Sequence, residues 1–235
     1  MRLRHLAPLG ALLILPLGLI TGGCPGDPEP PPQPPPTPDG GPTGCKLEPL
    51  GDPTAPIEFE IIALDPEYQA YPVSDGDVVH NLFPPQGGRV IFAGVRATNL
   101  DPCAVQLAGA IRDPVSQQAR PESRTTNLKP LGDGWGASIE SDISTFSNIP
   151  TCPNQWSSRD LYDAPYELTV QITERTGRTA SKTVQVVPVC EEAGLIDDCR
   201  CMCKGGYVLG EACAPGSGSG GGSGGAGGAD GAGGG

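Results

Sequence analysis

Apolar and polar residues alternate with a period of two through most of the middle of the chain. Ile57, Phe59, Ile61 and Ala63 alternate with Glu58, Glu60 and Ile62. Val105, Leu107, Gly109 and Ile111 alternate with Gln106, Ala108, Ala110 and Arg112. Trp135, Ala137, Ile139, Ser141 and Ile143 alternate with Gly136, Ser138, Glu140 and Asp142. Tyr166, Leu168, Val170 and Ile172 alternate with Glu167, Thr169, Gln171 and Thr173. Such short runs predict half-buried strands. Residues 89–98 (RVIFAGVRAT) are apolar on both faces, as a central strand would be. Gly177 can take the positive φ that a hairpin needs, and 182–189 (KTVQVVPV) supplies the returning strand. No segment reads as a convincing amphipathic helix. The pattern predicts an all-β chain, with residues 45–190 folding as an antiparallel β-sandwich.

The ends follow different rules. Arg2 and Arg4 precede an apolar run, Leu6 to Ile20, that Pro8 and Pro16 interrupt. It is too short and broken for a membrane-spanning helix and reads as a secretory leader over 1–23. Cys24 follows two small residues, Gly22 and Gly23. Residues 24–44 are proline-rich and cannot enter a helix or a central strand. As polyproline II at about 3.1 Å per residue they would form a stalk of roughly 60 Å. Residues 191–215 are rich in cysteine, and 216–235 are almost entirely Gly, Ser and Ala, a tail expected to be disordered.

Residues 15–24 (LPLGLITGGC) resemble the lipobox of bacterial lipoproteins, with Thr21 where Leu or Val is usual. The resemblance implies cleavage before Cys24 and acylation of that residue, which ties the mature chain to a membrane. Pro25 in place of Asp implies the outer membrane, at its periplasmic face or at the cell surface. The alternative is an ordinary secretory signal with Cys24 as a disulfide partner. Nine cysteines less Cys24 leave an even number, which favours acylation.

The segment 166–187 (YELTVQITERTGRTASKTVQVV) resembles the closing hairpin of bacterial immunoglobulin-like or fibronectin-like modules, which implies an immunoglobulin-like sandwich. The antibody-type Cys–Trp–Cys spacing is not met by Trp135. Residues 75–103 are similar to a pattern in secreted lipoproteins of myxobacterial type, through Asp75-Gly-Asp77 and Pro85-Gln-Gly-Gly88, with Pro84 where another Gly is usual. That group lends a fold and a location but no chemistry. An immunoglobulin-like strand order implies the disulfides Cys45–Cys103 and Cys152–Cys190. Cys201-x-Cys203-x2-Gly206-Tyr207-x5-Cys213 resembles the end of an EGF-like module, which implies Cys203–Cys213. Cys199 and Cys201 would then need Cys190 and Cys152, in conflict with the previous pairing, so the connectivity stays open.

Composition narrows the function without naming it. Without Arg2 and Arg4 the mature chain carries 13 basic and 27 acidic residues, a net charge of −14. Such a surface repels phosphate backbones, and no nucleic-acid partner is expected. Many cysteines with almost no histidine fit disulfides in an oxidising compartment better than metal. A zinc site is the sharper alternative, but Cys199-x-Cys201-x-Cys203 lacks the usual ligand spacing. Asp75 and Asp77, with Asp65 and Glu67, could offer oxygens to calcium, although turn chemistry explains them more simply. His80 is the single histidine after the leader, and no nucleophile motif accompanies it. Trp135, Trp156 and Tyr162 could mark a binding face, with core filling the commoner fate. No catalytic, metal or cofactor-binding residue is assigned. The expected protein is an envelope lipoprotein that meets the membrane through Cys24 and acts as a binding or structural module for a protein or glycan. An accessory hydrolase, carbohydrate-active or proteolytic, is the alternative. It would need a carboxylate pair or a site built on His80.

Overall fold

A computed structural model describes residues 44–213. The leader, Cys24, nearly all of the stalk and the glycine-rich tail lie outside the described residues.

Two sheets face each other. The first runs β2 (Ala70–Val73), β1 (Glu58–Leu64), β4 (Arg89–Thr98), β8 (Trp135–Ala137) and β7 (Lys129–Pro130), with β9 (Ser147–Cys152) also pairing with β4. The second runs β3 (Asp77–His80), β11 (Thr179–Val189), β10 (Tyr166–Thr173), β5 (Val105–Arg112) and β6 (Ala119–Thr126). Every pairing is antiparallel except that of β3 with β11, which is parallel. Chain order crosses from β4 in one sheet to β5 in the other and closes with the β10–β11 hairpin, the connectivity of an immunoglobulin-like sandwich.

Period-two alternation becomes packing. Phe59, Ile61 and Ala63 point inward from β1; Val105, Leu107 and Ile111 from β5; Leu168, Val170 and Ile172 from β10. Each such apolar side chain contributes roughly 1.5–3 kcal/mol on full burial. β4 is central, as its composition predicts: Ile91, Ala93, Val95 and Ala97 face the main core, while Val90 and Phe92 join a second cluster on the outer face with Ile62, Leu64, Leu82 and Phe146. Gly94 lies beneath the Phe146 ring, where a Cβ would sit 2.6 Å from the ring carbons. Gly177 takes φ +92° in the closing hairpin. Pro72, Pro121 and Pro130 sit on the outermost strands β2, β6 and β7, where a residue without an N–H costs no ladder bond and blunts edge pairing.

Two sequence expectations are corrected. The alternation over 135–143 is a strand only as far as Ala137. There the Ser138 hydroxyl donates to the Thr145 carbonyl, and the Thr145 hydroxyl accepts from the Ile139 amide. These side chains replace ladder bonds and turn the chain into a 3-10 turn at Ile143–Thr145. The second correction is a helix, α1 (Ile196–Cys203), in the cysteine-rich segment. Its Asp197 and Asp198 fall in the first turn, where the helix dipole favours them, and its inner face is Cys199 and Cys203.

That helix also decides the cysteine pairing. Residues four apart share a helix face, so Cys199 and Cys203 both point inward while Cys201 points away. The disulfides are Cys45–Cys103, Cys152–Cys203, Cys190–Cys199 and Cys201–Cys213. Cys45–Cys103 is the pair that the strand order implies. Cys152–Cys190 and Cys203–Cys213 are not formed: both strand-end cysteines reach the inner face of α1, which leaves Cys201 for Cys213.

Candidate functional site

The outer face of the first sheet divides in two. One half is covered by the second apolar cluster. The other half is left open where β1, β2, β4, β7 and β8 carry mixed side chains, and a groove of about 480 Å³ lies there, lined among others by Glu60, Tyr71, Arg96, Lys129, Leu131 and Glu140. Arg96 donates to Glu60 and Asp133, each at 3.2 Å, and its guanidinium lies 4.4 Å over the Trp135 ring. Glu140 accepts from the Ala70 amide at 3.1 Å, tying the far wall to β2. Leu131 is 49% exposed at the rim. Two hollows of about 340 and 420 Å³ adjoin the groove, and both are lined by Glu60 and Lys182. The Lys182 ammonium stands 5.2 Å over the Phe59 ring. Glu60 therefore belongs to three adjoining concavities, built from paired strands and the turns that flank them.

The aromatic residues separate. Trp135 lies half-buried beneath Arg96 and lines the smaller of the two hollows beside the groove. Trp156 is core, its indole donating to the Thr151 carbonyl at 2.9 Å. Tyr162 packs against the core, and burial followed by Asp160 raises its phenol pKa. Tyr71 donates to the Val78 carbonyl at 3.0 Å, and burial with Asp65, Asp77 and Glu191 holds its phenol well above the usual range.

The acids near β3 serve turns. Asp65 accepts from the amides of Glu67 and Gln69, Asp77 from that of Ser74, and Asp75 from that of Gln185. His80 stands edge-on to Tyr71, with its Nδ1 3.5 Å from a Glu191 carboxylate oxygen. Its neighbours are thus a phenol and a glutamate on the chain that leaves β11, and the Ser–His–Asp arrangement a hydrolase would need is not what surrounds it.

The cysteines gather where β9, β11 and α1 meet. The sulfurs of Cys190, Cys199 and Cys203 lie within 4.8 Å of one another, and all three residues are buried. This is the clustering a soft metal needs, yet each belongs to a disulfide and offers no thiolate.

Two polar anchors hold loops around these features, and neither shows as a motif in the sequence. Arg89, 1% exposed, donates to Glu192 at 2.9 Å, to Asp198 at 2.7 Å and to the Leu195 carbonyl at 3.3 Å, clasping α1 to the start of β4. Asp113, fully buried at the end of β5, gathers the loop 153–165. At the far end, Glu174 pairs with Arg178, and chiefly that bonding holds its carboxyl down at about 2 despite burial. No protein-family model matches the chain, and no curated protein matches it.

Proposed function

We propose that the chain is an envelope lipoprotein, acylated at Cys24 and held at the outer membrane, whose sandwich binds a protein or glycan partner through the face centred on Glu60. The observation that carries the reading is the set of three adjoining concavities along β1, which combine cations, carboxylates and apolar rim residues from the strands and the segments beside them. Four disulfides among the described residues support an oxidising compartment. The leader and the lipobox-like stretch support the anchor.

Cys24→Ala is expected to move the protein from the detergent phase to the aqueous phase on phase partition of expressing cells. Mature protein that still enters detergent would overturn the anchor. For the binding face, the double substitution Lys129→Glu with Leu131→Asp is expected to abolish a partner captured from envelope extract by the wild-type domain. Gln171→Lys, on the exposed side of β10 in the other sheet, is expected to leave capture unchanged. A partner retained by the groove variant and lost with Gln171→Lys would place binding on the wrong sheet.

A further inference from the structure

The four sulfurs at the junction of β9, β11 and α1 form a row: Cys152 bonded to Cys203, Cys203 in contact with Cys199, Cys199 bonded to Cys190. The inner contact is 3.9 Å between Sγ atoms that belong to different disulfides. The inner sulfur residues are the more deeply buried, Cys203 at 0% and Cys199 at 1% exposure, against 5% for Cys152 and 3% for Cys190. Thiol–disulfide exchange needs a thiolate beside a disulfide sulfur, and here each disulfide supplies the neighbour for the other.

We propose that this row is a disulfide-exchange centre through which a single dithiol reductant releases both covalent links between α1 and the sandwich. A reductant thiolate attacks Cys152, breaking Cys152–Cys203 and leaving a thiolate on Cys203. That thiolate attacks Cys199; the Cys199–Cys203 bond forms, Cys190–Cys199 breaks, and the electron pair leaves on Cys190. The second thiol of the reductant resolves the mixed disulfide on Cys152. One dithiol has then been oxidised by two electrons, Cys152 and Cys190 end as thiols, and one protein disulfide has been lost. Attack at Cys190 instead runs the row in the opposite direction to the same product. The new bond joins residues four apart on one helix, where the helical rise sets the Cα atoms about 6 Å apart, inside the Cα range of a disulfide; the Cβ atoms, about 5–6 Å apart in a regular helix, must close to about 4 Å, so the bond distorts α1 as it forms.

The consequence is an all-or-none release. In the oxidised chain α1 is stapled to the end of β9 and to the residue following β11. After exchange both staples are gone, and the new disulfide lies wholly within α1. The Arg89 clasp and the bonds from the loop then hold the helix, among them Asn154 to the Met202 carbonyl at 2.8 Å and Leu161 to the Cys203 carbonyl at 2.8 Å. The loop closed by Cys201–Cys213 is untouched.

The test uses the full chain. Oxidised wild-type protein is treated with one equivalent of dithiothreitol, alkylated in acid and mapped after trypsin digestion. Cleavage after Arg200 separates Cys199 from Cys203. The expected product is a Cys199–Cys203 linked peptide with alkylated Cys152 and Cys190. In Cys190→Ser the Cys199 thiol lies beside Cys203 from the outset, and the expected result is Cys199–Cys203 with a free Cys152 thiol and no added reductant. Alkylation in the pairs Cys152 with Cys203, or Cys190 with Cys199, and no Cys199–Cys203 peptide in the wild type would overturn the proposal. The wild-type experiment decides the matter if Cys190→Ser does not fold.

Discussion

Arg89→Met is expected to destabilise the oxidised chain by about 3 kcal/mol, the low end of what removing one partner of a buried ion pair costs. Met occupies much of the same volume, so the loss is electrostatic more than steric. Glu192 accepts from Arg89 and from the Phe83 amide, and Asp198 accepts from the other arm of the fork. The guanidinium also lies 5.1 Å over the Phe83 ring. Without the cation, two carboxylates face each other at the seat of α1. Their side chains keep 18% and 30% exposure, so water recovers part of the loss, which is why the low end of the range applies. For a chain of this size, about 3 kcal/mol lowers Tm by roughly 6–12 °C. Circular dichroism melts with the disulfides intact measure it. Limited proteolysis should show faster cleavage at 191–198 in the variant. Arg89→Lys should recover only part, since one ammonium cannot span both acids as a planar fork does. A variant melting within about 2 °C of wild type would show that the disulfides alone seat the helix.

The clasp also shows where sequence reading stops. β1, β5 and β10 follow from period two because each buries one apolar face, β4 follows from a run that is apolar on both faces, and β11 follows as the return strand after Gly177. β6 (ARPESRTT) carries no apolar alternation, since it is an edge strand whose half-buried positions include Glu122 and Arg124, paired with each other at 2.6 Å. β9 is short and holds Pro150, and only its contact with β4 makes it a strand. α1 has 8 residues, too few for a helix to stand without tertiary support, and its inner face is made of sulfur rather than of a recognisable apolar stripe. That omission is also why two disulfide expectations failed: strand order fixes which end of the sandwich a cysteine occupies, while helix phase fixes which of several cysteines it meets. Arg89 reads as the polar end of an apolar strand, and its acids lie 103 and 109 residues later. The groove is likewise assembled from residues between Glu60 and Ser141 that share a face only after β1, β4 and β8 are side by side.

Asp113→Ala is expected to cost roughly 2–3 kcal/mol at about pH 7, because it removes a buried carboxylate that ties the loop down and leaves the buried Ser157 hydroxyl without that acceptor. Asp113 accepts five hydrogen bonds: the amides of Val115 and Ser158, and the hydroxyls of Ser116, Ser157 and Ser158. Burial by itself would raise its pKa. The bonds from Ser158, Val115 and Ser116 outweigh burial and hold the carboxyl far below the usual range. The effect spreads beyond one side chain. Ser157 also bonds the Tyr166 hydroxyl at 2.6 Å, and its amide donates to Asn154, whose side chain reaches the Cys203 carbonyl. Losing the acceptor therefore loosens the loop that seats both Trp156 and α1. Because the folded pKa lies below the unfolded value, the ionised carboxylate stabilises the fold fully above the ordinary Asp pKa of about 3.9, and this contribution is lost as pH falls toward the folded value. The wild type should lose stability as pH drops below about 4, while the variant loses less over the same interval. Urea midpoints measured for both proteins between about pH 7 and about pH 3 should converge on the acid side. A gap that stays constant across that range would mean that the serine cluster binds Asp113 without regard to its charge.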